Sequence, residues 1–377
     1  MIIPSQKHLF DIPDDVAYLN NAYMSPLMRS VVEAMKTGMT YKARPWTYSS
    51  DQFFSLPEEA RNLAGEIFGT SAENVAIVPS ASYGIQTAAN VLPLSKGQTI
   101  LVLEDQFPSN IYPWQDRAAK VGANVNILPI PNDDDWTQVL LGAIDAQTAI
   151  VAVPQTHWAS GATLELSRIR AALDVVGGAL VLDLTQSLGA QPFNAEEIRP
   201  DFAVAATYKW MMGPYSLGFL YVDPKWHDAE PLEHNWINRE GSEDFSGLTK
   251  YREGFQPGAR RFDMGEKSNP AQMLGASAAM RQILEWGVGN IAETLSEKTG
   301  WIETELNEAR ITPVDNKLRA PHYLGLRFEG GIPHGLSAAL AKDKIFVSVR
   351  GPAMRITPHL YATNHDMARL VEALKHI

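Results

Sequence analysis

The chain has 377 residues, of which 45% are hydrophobic and 20% are charged, and it carries a formal net charge of −11. This excess of acidic residues argues against nucleic acid or an anionic membrane surface as the main partner, because both bind through a basic face. The chain contains no cysteine, which excludes disulfides, thiolate metal sites and thiol catalysis.

The N-terminal segment MIIPSQKHLFDIPDD lacks the basic stretch and the apolar run of a secretory signal. No apolar run approaches the ~20 residues that a membrane-spanning helix needs. The sequence also lacks an HExxH motif, an EF-hand loop and a P-loop, and no two of its nine histidines have the i, i+4 spacing of a helical metal site. We therefore expect a cytoplasmic enzyme without a metal centre and without a membrane partner.

Six short apolar runs alternate with helix-like segments through most of the chain. They are too short for helices, rich in Val, Ile and Leu, and apolar on both faces, as strands are when helices cover both sides of a sheet. The runs lie at residues 74–80, 99–104, 149–155, 179–184, 202–207 and 217–222. This alternation predicts an α/β fold with a mostly parallel sheet sandwiched by helices, and a functional site at the carboxyl ends of the strands.

The helix-like segment LPEEARNLAGEIFG has Pro57 near its start and Gly69 past its end. Residues 225–262 form a long stretch with little periodicity, typical of a functional loop or of a surface insertion.

The helical pattern returns at 270–287 and 290–309, and strand-like pieces and a closing helix follow. We take Asn364 as the N-cap of that closing helix. The chain is therefore predicted to divide into a large domain at 16–262 and a smaller α/β domain made of 1–15 and 263–377.

A lysine stands at the end of the strand predicted at 202–207, in the segment TYKWMMGP. This residue, Lys209, is flanked by aromatic side chains, and Asp183 leaves the C-terminal end of another strand. In a parallel sheet both reach the same edge. An amine desolvated by aromatic neighbours has a lowered pKa and reacts with an aldehyde, while a carboxylate can pair with a pyridinium nitrogen. The pair fits pyridoxal phosphate chemistry, and it fits a structural ion pair equally well.

Three other strand ends carry complementary groups. The segment PSASYG offers backbone N–H groups and the hydroxyls of Ser80 and Ser82 at a helix N-terminus, which is either a phosphate cradle or an ordinary N-cap. Phe107 could stack on a flat cofactor ring or pack in the core. THWASG brings His157 and Trp158 to the next strand end, as cofactor contacts or as packing residues. Together the four strand ends favour a pyridoxal phosphate site.

The segment SASYG also nearly matches the G-x-S-x-G nucleophile elbow. Ser82 would be the nucleophile of a serine hydrolase, with Asp183 and His359 completing the chain order of its triad. Ser80 replaces the first glycine of the motif, and that turn is sterically strained. This substitution disfavours the hydrolase as an alternative.

Seven segments, taken in chain order, resemble the class V aminotransferase family of fold-type I pyridoxal phosphate enzymes. That family includes kynureninases, cysteine desulfurases and isopenicillin N epimerase-like proteins. The segments are YLNNAYMSPL, SASYG, DQFPSN, THWASG, DLTQSLGAQP, TYKWMMGP and MRITPHLYATNHD. The likeness covers nearly the whole chain, and the D-x-x-Q and Y-K-x-x-x-G-P elements are specific when they occur together.

The resemblance implies how the cofactor ring is held. Lys209 would form the Schiff base with pyridoxal 5'-phosphate, and Asp183 would pair with the pyridinium nitrogen. Gln186 would hydrogen-bond the ring hydroxyl, and Phe107 would stack on the ring. We also place His157 among the cofactor-binding residues.

The resemblance also implies how the phosphate is held. Ala81 and Ser82 would bind it with help from Tyr208. Family members have their active sites at a homodimer interface, so Ser268 and Asn269 in GEKSNP would reach the phosphate of the partner.

The resemblance also implies a small amino-acid substrate whose carboxylate Arg355 would grip, a role that suits a planar guanidinium, which binds a carboxylate with two hydrogen bonds. Asn21 is similar to a family residue that closes over the substrate. The substrate would form an external aldimine and react at Cα. Transamination is the first expectation, a C–S or C–C lyase or an epimerase is the alternative, and the sequence does not choose among them.

Two departures bear on the type of reaction. Persulfide-forming desulfurases need a mobile cysteine, which this chain lacks. The residue before the lysine is Tyr208, where the desulfurase branch usually has histidine, so the chain is more similar to the kynureninase and epimerase branch. No segment could be assigned to an anthraniloyl pocket, so the sequence does not support kynureninase itself.

Overall fold

The computed structural model describes residues 1–306 and 311–375 of the chain. Its strands are β1 (Ala17–Tyr18), β2 (Val75–Val78), β3 (Thr99–Leu103), β4 (Asn124–Leu128), β5 (Thr148–Pro154), β6 (Ala179–Asp183), β7 (Phe202–Ala206), β8 (Gly218–Val222), β9 (Ile311–Pro313), β10 (Leu324–Phe328), β11 (Ile345–Phe346), β12 (Ser348–Arg350) and β13 (Ala353–Ile356).

Its helices are α1 (Arg29–Ala43), α2 (Gln52–Phe68), α3 (Ala81–Val91), α4 (Tyr112–Val121), α5 (Trp136–Ala143), α6 (Leu166–Val176), α7 (Ala195–Ile198), α8 (Pro270–Trp286), α9 (Val288–Glu305), α10 (Leu336–Lys342) and α11 (Asn364–Lys375). None of these described helices is both long enough and apolar enough to cross a membrane.

Seven strands form the central sheet in the order β2-β8-β7-β6-β5-β3-β4. The neighbours from β7 to β4 pair in parallel, and β8 is antiparallel to both β7 and β2. All six strands predicted from apolar runs are confirmed. Strand β4 at the sheet edge was not predicted, because three of its five residues are exposed and its sequence, NVNIL, mixes polar with apolar side chains.

Alternate residues of the central strands point into two separate hydrophobic clusters. Val75 and Ile77 of β2 belong to one cluster, which includes residues of α2, α6 and α8. Ala76 and Val78 belong to the other, which includes residues of α3 and α4. Both faces of the sheet are therefore covered by helices, which is why the strands read as apolar throughout.

A second, antiparallel sheet has the order β12-β13-β10-β9. Strand β1 pairs in parallel with β11, so residues 17 and 18 join the C-terminal part, although the predicted division places them in the large domain. Helix α8 packs closely on α1 at Gly38. A Cβ atom added to this glycine would lie 2.5 Å from the Cα of Ala271, so the contact has no room for a side chain. The division at residue 262 stays a proposal.

Two predicted helix boundaries are wrong. Helix α2 begins at Gln52, so Pro57 lies inside it, and the added turn packs Phe53 and Phe54 on Phe245 with ring centroids 5.5 and 6.3 Å apart. Asn364 is already helical in α11. The N-cap is Thr363, whose hydroxyl accepts from the Asp366 amide while the Asp366 carboxylate accepts from the Thr363 amide.

The remaining predictions for the C-terminal half agree with the structure. Helices α8 and α9 occupy the two segments predicted as helical, and Gly287 ends α8 with φ of 76°. The stretch 225–262 contains only short 3-10 turns among its irregular segments. The ends of the predicted helices, at 307–309 and 376–377, lie outside the described residues.

Candidate active site

A cavity of about 300 Å³ opens at the carboxyl ends of the central strands. Its lining comes from segments that follow β2, β3, β5, β6 and β7. Seven of the residues predicted from sequence line it together: Ala81, Ser82, Phe107, Asp183, Gln186, Tyr208 and Lys209.

Lys209 follows β7 and is only 7% exposed. Its Nζ lies 5.6 Å from the centroid of the Phe107 ring and 5.4 Å from that of the Tyr208 ring. Burial lowers the pKa of this amine to about 8; the charge of Asp183 acts in the opposite direction, and that of Arg355 in the same direction. The setting therefore produces a partly neutral amine near physiological pH.

Asp183 is the last residue of β6, and its Oδ1 accepts a hydrogen bond of 3.0 Å from the Thr185 amide. Burial raises the pKa of this carboxyl, while the hydrogen bonds from Thr185 and the charge of Lys209 lower it. Within the described part of the chain, Asp183 and Lys209 form no direct ion pair although both line the cavity. Both side chains line the same cavity. This arrangement is more typical of two residues that bind a group between them than of a structural ion pair.

The N-terminus of α3 lies at the other end of the cavity. Ser80 is its N-cap and accepts from the Tyr83 amide at 3.2 Å, and its hydroxyl lies 2.9 Å from that of Ser82. Ser80, Ala81 and Ser82 all line the cavity. Ser80 is thus an N-cap and, at the same time, part of a helix terminus that faces a space where an anion fits.

An aromatic wall closes one side. The ring of Phe107 is 38% exposed and meets the Trp158 ring edge to face, with centroids 5.4 Å apart. On another side, the rings of Tyr208 and Tyr215 lie 4.5 Å apart. Tyr215 and Ser216 line the cavity but were not predicted, because they come from the turn before β8, whereas the motifs mark the ends of parallel strands.

Arg355 on β13 is 1% exposed and lies beside the aromatic wall. Its guanidinium donates to the Ser348 hydroxyl and to the Trp158 carbonyl, and it stands 5.6 Å from the Trp158 ring centroid. No carboxylate among the described residues pairs with it. The guanidinium of Arg350 lies 6.0 Å from the centroid of the same ring. Arg350 was not predicted as a site residue, because its segment contains no recognisable motif.

His157 does not line the cavity. Its ring stacks on Trp136 with centroids 5.2 Å apart, its Nε2 lies 3.2 Å from the carbonyl of Glu104, and its Nδ1 lies 3.3 Å from the hydroxyl of Ser160. Burial lowers its pKa to about 4, so the ring is neutral at pH 7. This placement supports a role in holding the loop, and direct contact with a cofactor stays a prediction.

Asn21 is fully buried beneath the lysine. Its side-chain amide donates to the Lys209 carbonyl at 3.4 Å, and its Oδ1 accepts from the Tyr361 hydroxyl at 3.2 Å. It therefore contacts the backbone of the lysine and does not line the cavity.

Ser268 and Asn269 line a separate cavity of about 470 Å³. The Ser268 hydroxyl donates to the Phe53 carbonyl, and Asn269 caps α8 through the amides of Ala271 and Gln272. Within one chain they do not reach the cavity of Lys209. Their predicted contact with the partner's phosphate stays a prediction.

The arrangement does not support the serine hydrolase. The hydroxyl of Ser82 pairs with Ser80, and no histidine within residues 1–306 and 311–375 is hydrogen bonded to it. His359 is fully buried and packs against Trp286 and Tyr361, and neither of its ring nitrogens has a hydrogen-bond partner among the described residues.

The family model and the similar proteins of known sequence agree on one family. The profile of the family Aminotransferase class-V matches residues 17–370. An uncharacterized aminotransferase of Bacillus subtilis, YcbU, is 25% identical over 373 residues, which cover 94% of this chain and 91% of the relative. A kynureninase of Deinococcus radiodurans is 29% identical over 280 residues, covering 71% and 65%. A cysteine desulfurase of Escherichia coli is 25% identical over 389 residues, covering 96% and 93%.

Among solved structures, a C-DES mutant with glycine covalently linked to its PLP cofactor is similar to this chain. The TM-score is 0.88, the sequence identity is 19%, and the match covers 98% of each chain. At this identity the likeness shows that the two proteins share a fold.

Proposed function

The chain belongs to the class V aminotransferase family of pyridoxal phosphate enzymes, and from this premise we propose that it transaminates a small amino acid, with Lys209 as the residue that holds the cofactor. The observation that carries the proposal is the buried amine of Lys209, which faces the same cavity as the Asp183 carboxylate and the N-terminus of α3.

The residues present fit pyridoxal 5'-phosphate. Asp183 offers a negative charge for the ring nitrogen, Phe107 offers a flat face, and Ser80 and Ser82 offer hydroxyls beside the free amides of a helix terminus. The bound cofactor withdraws electrons from the substrate, so that a bond at Cα can break.

The chain's own residues then have separate tasks. Asp183, buried at the end of β6, would pair with the ring nitrogen and, when ionised, would favour a proton there. Lys209, whose pKa burial lowers to about 8, would take the proton from Cα onto its Nζ and, in transamination, would release it toward the cofactor and not back to Cα. Arg355 holds the substrate carboxylate and so fixes the orientation of the Cα–H bond.

Transamination is the proposed outcome because the family profile and the relative from Bacillus subtilis both bear that name. A C–C lyase is the second candidate, favoured by the 29% identity to a kynureninase. A C–S lyase or an epimerase would use the same residues for the first proton transfer. We predict that the protein forms no persulfide on one of its own side chains, because the chain has no cysteine.

The test is a spectral titration of the loaded protein against a panel of amino acids, with product analysis. Transamination predicts a keto acid together with conversion of the cofactor to its pyridoxamine form. Pyruvate with ammonia or sulfide would indicate elimination instead, and a racemised substrate would indicate epimerisation. A protein that stays colourless with added cofactor would contradict the proposal as a whole.

The exchange of Arg355 for lysine is expected to lower kcat/KM about 10- to 100-fold, mainly through KM. The guanidinium can bind the carboxylate with two charge-assisted hydrogen bonds, each worth about 1.5–3 kcal/mol, and lysine cannot reproduce that geometry. Steady-state kinetics measures the effect. Arg168→Lys on the exposed face of α6 is the control and should match the wild type. An unchanged KM for Arg355→Lys would remove Arg355 from substrate binding.

Loading of the cofactor is expected to depend on pH through Lys209. At pH 7 about one in ten amines with a pKa of about 8 is neutral, against about one in 3,000 for an ordinary lysine. The rate at which cofactor-free protein captures pyridoxal phosphate should therefore rise with pH and level off above about pH 8. Stopped-flow absorbance measures this rate. A rate that still rises steeply at pH 10 would show that the amine is not desolvated.

We also propose a cytoplasmic homodimer, in which Ser268 and Asn269 of one protomer approach the phosphate held by its partner. Both residues line an open cavity with aromatic side chains from Tyr48 and Trp236, a surface of the kind that another protomer covers. Light scattering of the loaded protein gives the oligomeric state, and a monomer would contradict this part of the proposal.

A further inference from the structure

Gln186, which lines the cavity, is held by three hydrogen bonds to other parts of the chain. Its Oε1 accepts from Trp210 Nε1 at 3.0 Å, and its Nε2 donates to the Ala22 carbonyl at 3.1 Å. Its main-chain oxygen accepts from His322 Nε2 at 2.6 Å. Gln186, Trp210 and His322 are each at most 5% exposed.

These partners fix which end of the Gln186 amide points where. An indole N–H can only donate, and a backbone carbonyl can only accept. Trp210 therefore requires the side-chain oxygen on its side, and Ala22 requires the nitrogen on the other side. One hydrogen then remains on Nε2, and it is the donor that this side chain can offer to the cavity.

Trp210 is itself held rigidly. It is fully buried next to Lys209, and its ring meets that of His322 edge to face with centroids 4.2 Å apart. The bond from His322 Nε2 to a carbonyl fixes the tautomer, so Nδ1 carries no proton. Burial lowers the pKa of His322 to about 4, and the ring therefore keeps this neutral form at pH 7.

We infer that Trp210 is a positioning residue, which together with His322 holds Gln186 as a hydrogen-bond donor toward the phenolic oxygen of the cofactor. This inference rests on the proposed function, because it requires the cofactor at Lys209. A donor at that oxygen stabilises its anion. The bound cofactor should therefore titrate at a lower pH than it would beside a freely rotating amide.

A tryptophan that only fills space would behave differently. Trp210→Phe keeps most of the ring but removes the N–H donor. If packing were its whole role, the variant would lose some stability and the titration of the bound cofactor would not move. If the N–H orients Gln186, the titration midpoint moves even in a protein that is fully folded.

The experiment is a pH titration of the visible absorbance of the loaded protein. Trp210→Phe is expected to raise the midpoint by about one pH unit, the size of one hydrogen bond to a charged group. Gln186→Ala should raise it similarly. The double variant should not exceed Gln186→Ala, because Trp210 acts through Gln186. Trp226→Phe is the matched control, since it removes an indole N–H bonded to Asp201 outside the cavity, and its midpoint should equal that of the wild type.

Two checks separate the possible failures. Reduction with borohydride and peptide mapping first show whether the cofactor is attached to Lys209. A Lys209 peptide without the cofactor would overturn the proposed function. With the cofactor attached, an unchanged midpoint in folded Trp210→Phe would overturn this inference alone. If Trp210→Phe does not fold, Gln186→Glu replaces it, because a carboxylate can accept from Trp210 but can donate neither to the Ala22 carbonyl nor to the cavity. Its midpoint should rise too, and an unchanged midpoint would again overturn the inference.

Discussion

Lys209→Ala is expected to reduce kcat by about 10³-fold or more while the protein stays folded. Lys209 supplies the amine in the cavity, and we assign to it both the attachment of the cofactor and the transfer of the Cα proton. Alanine can do neither. The fold should tolerate the change, because burial lowers the pKa of this amine to about 8, so its charged form at pH 7 is less stable in the folded state than in the unfolded chain.

Three measurements check this result. Turnover should be lost, borohydride should no longer attach the cofactor to the protein, and the melting temperature should not fall. An added small amine such as methylamine should restore part of the proton transfer. Lys120→Ala, on the exposed face of α4 beside Asp116, is the control and should keep full activity. A Lys209→Ala variant that turns over within 10-fold of the wild type, on the scale of about 1.4 kcal/mol, would remove the lysine from the mechanism.

The position of the candidate site could be predicted from the sequence because parallel strands with two buried faces leave a clear apolar pattern. Each of Phe107, Asp183 and Lys209 comes at the end of such a run, so the topology had to bring them to one edge of the sheet. Strand β4 shows the limit of the argument. It lies at the edge of the sheet with exposed side chains, and its sequence carries no such run.

The direction of a side chain was harder to predict than its location. His157 follows a strand in the way that Phe107 does, yet stacking on Trp136 and hydrogen bonding to Glu104 turn it away from the cavity. The donor end of Gln186 depends on Trp210, which lies 24 positions away in the chain. Such orientations come from tertiary contacts that no local motif encodes.

A buried ionic cluster lies outside the cavity, near the proposed phosphate site. Asp263 accepts from Arg61 through both oxygens at 2.9 and 2.7 Å, and from Lys267 at 2.7 Å. It also accepts from the Ile77 amide at 2.7 Å. Ile77 belongs to β2, which leads to Ser80, and Lys267 precedes the segment predicted to reach the partner. The cluster therefore ties together two segments on which the proposed phosphate site depends.

Asp263→Asn is accordingly expected to cost about 3–5 kcal/mol of folding free energy, because it leaves Lys267 buried without its counter-charge and leaves Arg61 only its ion pair with the partly exposed Glu58. The side chains of Asp263 and Arg61 are 0% exposed, and that of Lys267 is 2% exposed, so water cannot compensate. Urea unfolding followed by circular dichroism measures the loss. Asp116→Asn, which breaks the exposed pair with Lys120, is the matched control and should change stability by less than about 1 kcal/mol.

The same variant has an expected pH signature. Burial alone would raise the pKa of Asp263, but the charges of Arg61 and Lys267 outweigh it and hold the pKa below its ordinary value. A carboxyl whose pKa is lower in the folded than in the unfolded state stabilises the fold above the unfolded pKa of about 3.9, and loses that effect as the pH falls through the folded value. The difference in free energy of unfolding between the wild type and Asp263→Asn should therefore be largest at pH 7 and should shrink below about pH 4. A gap that stays constant from pH 7 to pH 3 would show that the charge of Asp263 is not what stabilises this cluster.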